Sequence, residues 1–125
     1  MNILDSSAWL EVLVDGLHAA TFLPIIESGK VVVPAVTIFE VTKRARIMGN
    51  EADAQRIESH MRRFTVLDLT AERASAASLL SHKHKLPMAD SMIYAATLEV
   101  NATLWTLDED FEGLPQVKYF SKVSA

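Results

Sequence analysis

Four acidic side chains interrupt apolar surroundings in a way that a solvated surface does not require. Asp5 ends the run Asn2-Ile3-Leu4, and Asp108 ends Thr103-Leu104-Trp105-Thr106-Leu107. Each follows a strand-like segment in its own direction, so in a parallel sheet both emerge at the same carboxyl edge, where open α/β sheets place their chemistry. Glu40 lies between Phe39 and Val41, on a helical row with Val36 and Ile47, which directs it inward or to a rim. Asp90 shares a helical stripe with Ile93, Tyr94 and Thr97 and points toward the sheet.

Acids gathered at one rim raise one another's pKa values unless a cation neutralises them. The chain has no cysteine, so a metal must use oxygen or imidazole. His82 and His84, two apart on a helix, face different ways and make a poor zinc pair. Carboxylate oxygens favour hard ions, Mg2+ or Mn2+, which keep several waters and accept phosphate oxygens. The chemistry expected of Asp5, Glu40, Asp90 and Asp108 is therefore phosphodiester hydrolysis, with a metal activating water and offsetting charge in the transition state. One ion or two would satisfy the pattern.

Taken singly, each acid has a plainer role. Asp5 can cap a helix with Ser6, and Asp90 can favour its helix N-terminus. Glu40 can pair with Lys43 or Arg44, and Asp108-Glu109-Asp110 can be a solvated turn. The order of the four along one predicted architecture is what favours a shared site.

That architecture follows from the periodicity. Ser6 or Ser7 can cap a helix through Val14, and a second runs from about Leu17 to Glu27 before Ser28-Gly29 turns into Lys30-Val31-Val32-Val33. Pro34 opens a connection, Thr37 helps begin a helix to about Met48, and Gly49-Asn50 stops it. Residues 51–63 read as an exposed helix and 64–69 as a strand. Helices over about 71–84 and 88–100 follow, with Pro87 before the second and Asn101 after it. Strands at 103–107 and 117–120 close the pattern. About five strands alternating with helices predict a three-layer α/β/α sandwich with a mostly parallel sheet.

The 125 residues suit a single domain over 1–125, with half of them hydrophobic and 22% charged. No stretch approaches the roughly 18 apolar residues of a membrane span, and no basic, apolar leader opens the chain, so a cytoplasmic protein without membrane partners is expected. The net charge of −4 does not advertise nucleic-acid binding. A basic run at Lys43, Arg44 and Arg46 offers RNA contacts, or simply an exposed face. Trp9, Tyr94, Trp105 and Phe111 are expected in the core or at a dimer surface.

The segments ILDSSAW, TIFEVTKRA, LPMADSMIYAAT and TLWTLDEDF, in this order and spacing, resemble the PIN-domain ribonucleases, specifically the VapC-type toxins of toxin–antitoxin pairs. The resemblance covers essentially the whole chain. It implies an endoribonuclease with Asp5, Glu40, Asp90 and Asp108 as metal-binding acids, Ser7 and Thr106 as nearby hydroxyls, and Asp110 as a further acid. It also implies an RNA substrate, a homodimer and a VapB-like antitoxin that blocks the site. Where family members commonly carry a basic residue beside the last acid, Leu107 and Glu109 flank Asp108 here. Asp108 and Asp110 thus compete for the last position, with Asp108 nearer the strand end.

Two other classes fit less well. A phosphoaspartate phosphatase needs a second acid close after Asp5, where Ser6 and Ser7 stand, and a receiver domain needs a lysine after the Trp105 strand. A non-catalytic PIN-like module, using its acidic rim to hold a protein partner, is separated from the nuclease by metal binding and turnover.

Overall fold

Five short apolar runs leave helix periodicity and form the strands β1 (Asn2–Leu4), β2 (Val32–Pro34), β3 (Thr65–Leu67), β4 (Thr103–Thr106) and β5 (Val117–Tyr119). The structure is a computed structural model describing residues 1–122; the last three positions of the domain expected over 1–125 lie outside the described residues. Every strand pairing is parallel. The strands form a three-stranded ladder, β1-β4-β5, and a two-stranded ladder, β2-β3. One parallel bridge, Asn2 to Val31, joins them into the order β3-β2-β1-β4-β5.

The sheet is therefore less continuous than its strand count suggests, for two local reasons. Asn2 spends both its backbone N–H and its Nδ2 on the Lys30 carbonyl, at 3.0 and 3.1 Å. The chain then leaves the sheet at Asp5 to begin a helix, and β2 ends in Pro34, which has no N–H to donate. Pairing to β4 is complete, from Asn2 opposite Thr103 to Leu4 opposite Trp105.

Among the described residues six α-helices fill the crossovers: α1 (Ser6–Leu13), α2 (Ala19–Glu27), α3 (Ala35–Met48), α4 (Glu51–Met61), α5 (Ala71–His84) and α6 (Met88–Glu99). Their ends follow capping chemistry. Asn50 accepts from the Asp53 amide at 2.9 Å and starts α4, while Thr70 accepts from the Arg73 amide at 3.2 Å and starts α5. Gly29, at φ +75°, turns the chain from α2 toward β2, and Asn101, at φ 52°, ends α6. Two expected starts differ. Asp5, not Ser6 or Ser7, caps α1 through its side chain. Pro34 precedes α3, and Thr37 is buried within that helix instead of opening it.

Alternation along the strands divides the interior into two cores, one on each face of the sheet. Leu4, Val31 and Val33 meet Ala8, Trp9, Phe22, Val41 and Met61 from α1 to α4. Ile3, Val32 and Leu104 meet Leu86, Ile93, Tyr94 and Phe111 on the side of α5 and α6. The layers are thus helix, sheet and helix. Trp9, Tyr94 and Phe111 are all core residues, as expected.

Leu104→Ala, which empties a fully buried position of β4, should lower the unfolding free energy by about 2–5 kcal/mol in urea denaturation. The exposed Leu79→Ala should change it by less than about 0.5 kcal/mol.

Candidate metal centre

The strand order reverses direction at the β1/β4 pair, so the loops after these strands leave the sheet in opposite senses and open a crevice at their carboxyl ends. Asp5 and Asp108 stand there. Asp5 remains tied to the sheet, its amide donating to the Trp105 carbonyl at 3.2 Å.

Both oxygens of the Asp5 carboxylate are held. Oδ1 accepts from the Ser7 hydroxyl at 2.6 Å and from the Ala8 amide at 3.1 Å. Oδ2 accepts from the Thr106 hydroxyl at 2.7 Å. The two hydroxyls are themselves aimed by backbone amides, Leu107 N–H donating to Ser7 Oγ at 3.0 Å and Asp108 N–H to Thr106 Oγ1 at 2.8 Å. Three of about four lone-pair positions on the carboxylate are used, leaving roughly one. Burial nevertheless dominates: Asp5 is 2% exposed, and desolvation pushes its pKa up to about 6 despite the three donors, with a smaller push from Asp108.

The remaining acids converge beside it. A turn of 3-10 helix over Glu109–Phe111 starts at Asp108, whose Oδ1 accepts from the Asp110 amide at 2.9 Å. It folds Asp110 back, so that carboxylate oxygens of Asp90, Asp108 and Asp110 lie within 4.8 Å of one another. Asp90 sits in the first turn of α6. Its pKa is pushed up to about 8, first by desolvation and then by the charge of Asp108, by hydrogen bonds in which the protonated form donates to Asp108 and Asp110, and by Asp5. Asp108 and Asp110 both reach Asp90.

Glu40 stands further out. It is half-buried on α3, its carboxyl raised by burial and by Asp108 and lowered by Ser6. Its Oε1 is buried without a hydrogen-bond partner. Ile47, on the same helical row, is exposed, whereas Val36 packs against the core, so Glu40 occupies the boundary between the buried stripe and solvent.

The basic run divides by helical geometry. Arg44 lines a cleft of about 500 Å³ beside Asp5, Ser7 and Asp108. Arg46 forks onto Glu51 at 2.6 and 3.0 Å, and Lys43 lies 5.8 Å from the Phe39 ring. Ser6, which moderates Glu40, and Glu11 and Lys122, which also line the cleft, are additions to the residues expected from sequence. Glu11 follows Asp5 by six residues on the adjoining helix, a signal in principle; Lys122 has no local signal.

The chain belongs to the PIN domain family, which it matches over residues 3–116. Its fold is similar to that of a toxin–antitoxin complex from Klebsiella pneumoniae, at TM-score 0.77 and 21% identity with 100% of both chains covered. It is also similar to Mycobacterium tuberculosis VapC20, a sarcin-ricin loop cleaving toxin, at TM-score 0.77 and 15% identity over 98% of each chain. DNA-bound VapBC from Salmonella typhimurium gives TM-score 0.72 at 16% identity, again over 98% of each chain. No curated protein matches by sequence.

The raised carboxyls set a pH dependence. Asp90, at about 8 when folded against an ordinary 3.8, binds more proton in the folded than in the unfolded state between those values, as Asp5 does up to about 6. Their contribution to stability is full below the unfolded value and is lost as pH rises through the folded one. In chelator, the unfolding temperature should accordingly fall from about pH 5 to pH 8, and Asp90→Asn should flatten the upper part of that decline and raise the pH 8 midpoint by about 2–4 °C. A pH-independent midpoint in calorimetry would contradict the proposed charge crowding.

Proposed function

We propose that this PIN domain is a Mg2+- or Mn2+-dependent endoribonuclease, acting as the toxin of a toxin–antitoxin pair in the cytoplasm. The observation that carries the reading is the crowding at Asp90: three carboxylates within 4.8 Å, one of them with its pKa pushed up to about 8. The donor set fits a hard cation. It is all oxygen, it is over-rich in negative charge, it leaves about one lone pair on Asp5, and it includes a buried Glu40 oxygen with no partner. Asp90, Asp108 and Asp5 would hold the ion, with Asp110 and Glu40 beside it through direct contact or ordered water. The bound ion would supply Lewis-acid polarisation and charge neutralisation for attack of water on a phosphodiester.

The chain's own residues prepare that attack. Ser7 and Thr106 restrict Asp5 to one orientation, so its free lone pair faces the crevice without a rotamer search. Asp90 would hold the cation in its ionised form, the ion taking the place of the proton as counter-charge. In the hydrolysis itself a P–O bond to the leaving oxygen breaks as water adds its oxygen to phosphorus, and the water's protons pass to the acid rim and the leaving group. Arg44, on the cleft wall, attracts the phosphate that the acids alone would repel.

The partners proposed are RNA, a second copy of the chain and a VapB-like antitoxin. Two structures of similar fold support the last, one a toxin–antitoxin complex and the other a DNA-bound VapBC. An arginine-bearing peptide suits such an acidic crevice, because a guanidinium forks onto paired carboxylates. Among the described residues no helix is long and apolar enough to cross a membrane.

RNA cleavage should require Mg2+ or Mn2+, stop in chelator, and fall on the order of 100-fold or more in Asp5→Asn, Asp90→Asn and Asp108→Asn, while far-ultraviolet circular dichroism stays unchanged. Asparagine can still cap α1 at position 5, so loss of the fold is not expected there. Metal-independent cleavage, or full activity in folded variants, would overturn the acid-held metal site, and absence of cleavage by wild type with metal would leave the non-catalytic binding module as the better reading.

A further inference from the structure

The cleft beside the acids has a second cationic wall whose position is determined far from α3. Lys122 lines the same cleft as Arg44, Asp5, Asp108 and Glu11. Its backbone is delivered there by a fixed sequence of contacts. The Phe120 amide donates to the Thr106 carbonyl at 2.9 Å, and the Phe120 ring stacks on Trp105 with centroids 6.2 Å apart and planes 9° from parallel. His18 then holds the next residue: a carbonyl can only accept, so Nε2 donates to Ser121 O, at 2.7 Å. His18 is itself braced, because its backbone N–H donates to Glu11 Oε2 at 2.9 Å and its ring packs 5.6 Å from that of Phe120. A Cβ at Gly16 would collide with the Glu11 carboxylate, so this brace depends on glycine there.

We propose that Lys122 and Arg44 are a pair of backbone-phosphate contacts flanking the acidic centre, and that His18 is the positioning residue that latches Lys122 onto the cleft. The proposal rests on the ribonuclease reading and specifies how a chain of net charge −4 admits a polyanion. The acids require an ion at the reacting phosphate, whereas the phosphates on either side need cations that the acid rim lacks. Arg44 on α3 and Lys122 after β5 approach that rim from two different elements and meet this need without altering the centre. Arg46, committed to Glu51, does not.

The test uses a labelled single-stranded RNA of mixed sequence, binding measured in the full chain carrying Asp90→Asn and cleavage measured without it. Lys122→Ala should weaken binding about 3- to 10-fold, reduce the slope of log affinity against log salt by about 0.7, and raise KM with little change in kcat. Lys122→Arg should restore both. Lys118→Ala, an exposed lysine on β5 with the same change in net charge, should leave both unaffected. His18→Phe, which keeps an aromatic ring against Phe120 and removes the hydrogen bond, should reproduce the Lys122→Ala effect and add nothing to it in the double variant. If wild type binds and cleaves RNA while Lys122→Ala behaves as Lys118→Ala, the contact pair is overturned and the nuclease reading stands. If wild type neither binds nor cleaves RNA with metal, the nuclease reading fails and the pair fails with it. Additive losses in the double variant overturn the latch alone.

Discussion

The carboxylate of Asp5 joins the two ends of the fold, and the geometry of the site depends on that junction. It caps α1, and through Ser7 and Thr106 it is bonded to hydroxyls that the amides of Leu107 and Asp108 hold in place. Residues about a hundred positions apart in the chain are thereby locked at the point where the strand order reverses. The cap satisfies a helix terminus, and the same bonds fix the orientation of a buried acid that lines the cleft.

Electrostatics then works against that order. Hydrogen bonds lower the pKa of Asp5, yet burial still wins and leaves it near 6. Asp90, lacking such donors and facing Asp108 and Asp110, is raised further. Without a counter-charge the fold pays at neutral pH for holding these groups together. A divalent ion bound there would remove the conflict, and cation binding and fold stability would then be two readouts of one interaction.

The sequence was most informative where periodicity and capping are local. Helices around Ala71–His84 and Met88–Glu99 and the strand at Thr103–Thr106 lie close to their expected bounds, because apolar spacing, Pro87 and Asn101 act within a few residues. Belonging to the PIN family over residues 3–116 agrees with the resemblance in four short segments. Less legible were features decided by three-dimensional closure. Along the chain nothing showed that Asp108 and Asp110 both lie beside Asp90, which one turn of 3-10 helix brings about. The basic run looked uniform until helical rotation sent Arg44 to the cleft and Arg46 to Glu51. Lys122 was invisible because its place depends on β5 pairing with β4 and on the contact of its neighbour Ser121 with His18, 103 residues from Ser121 in sequence.

The central claim is that these acids form one divalent cation site. Titration of the wild-type chain with Mn2+, following the electron paramagnetic resonance signal of the free ion, tests it most directly. Saturable binding that is lost in Asp90→Asn and Asp108→Asn, and competed by Mg2+, is the predicted result; no saturable binding in wild type, or equal binding in all three proteins, would contradict it.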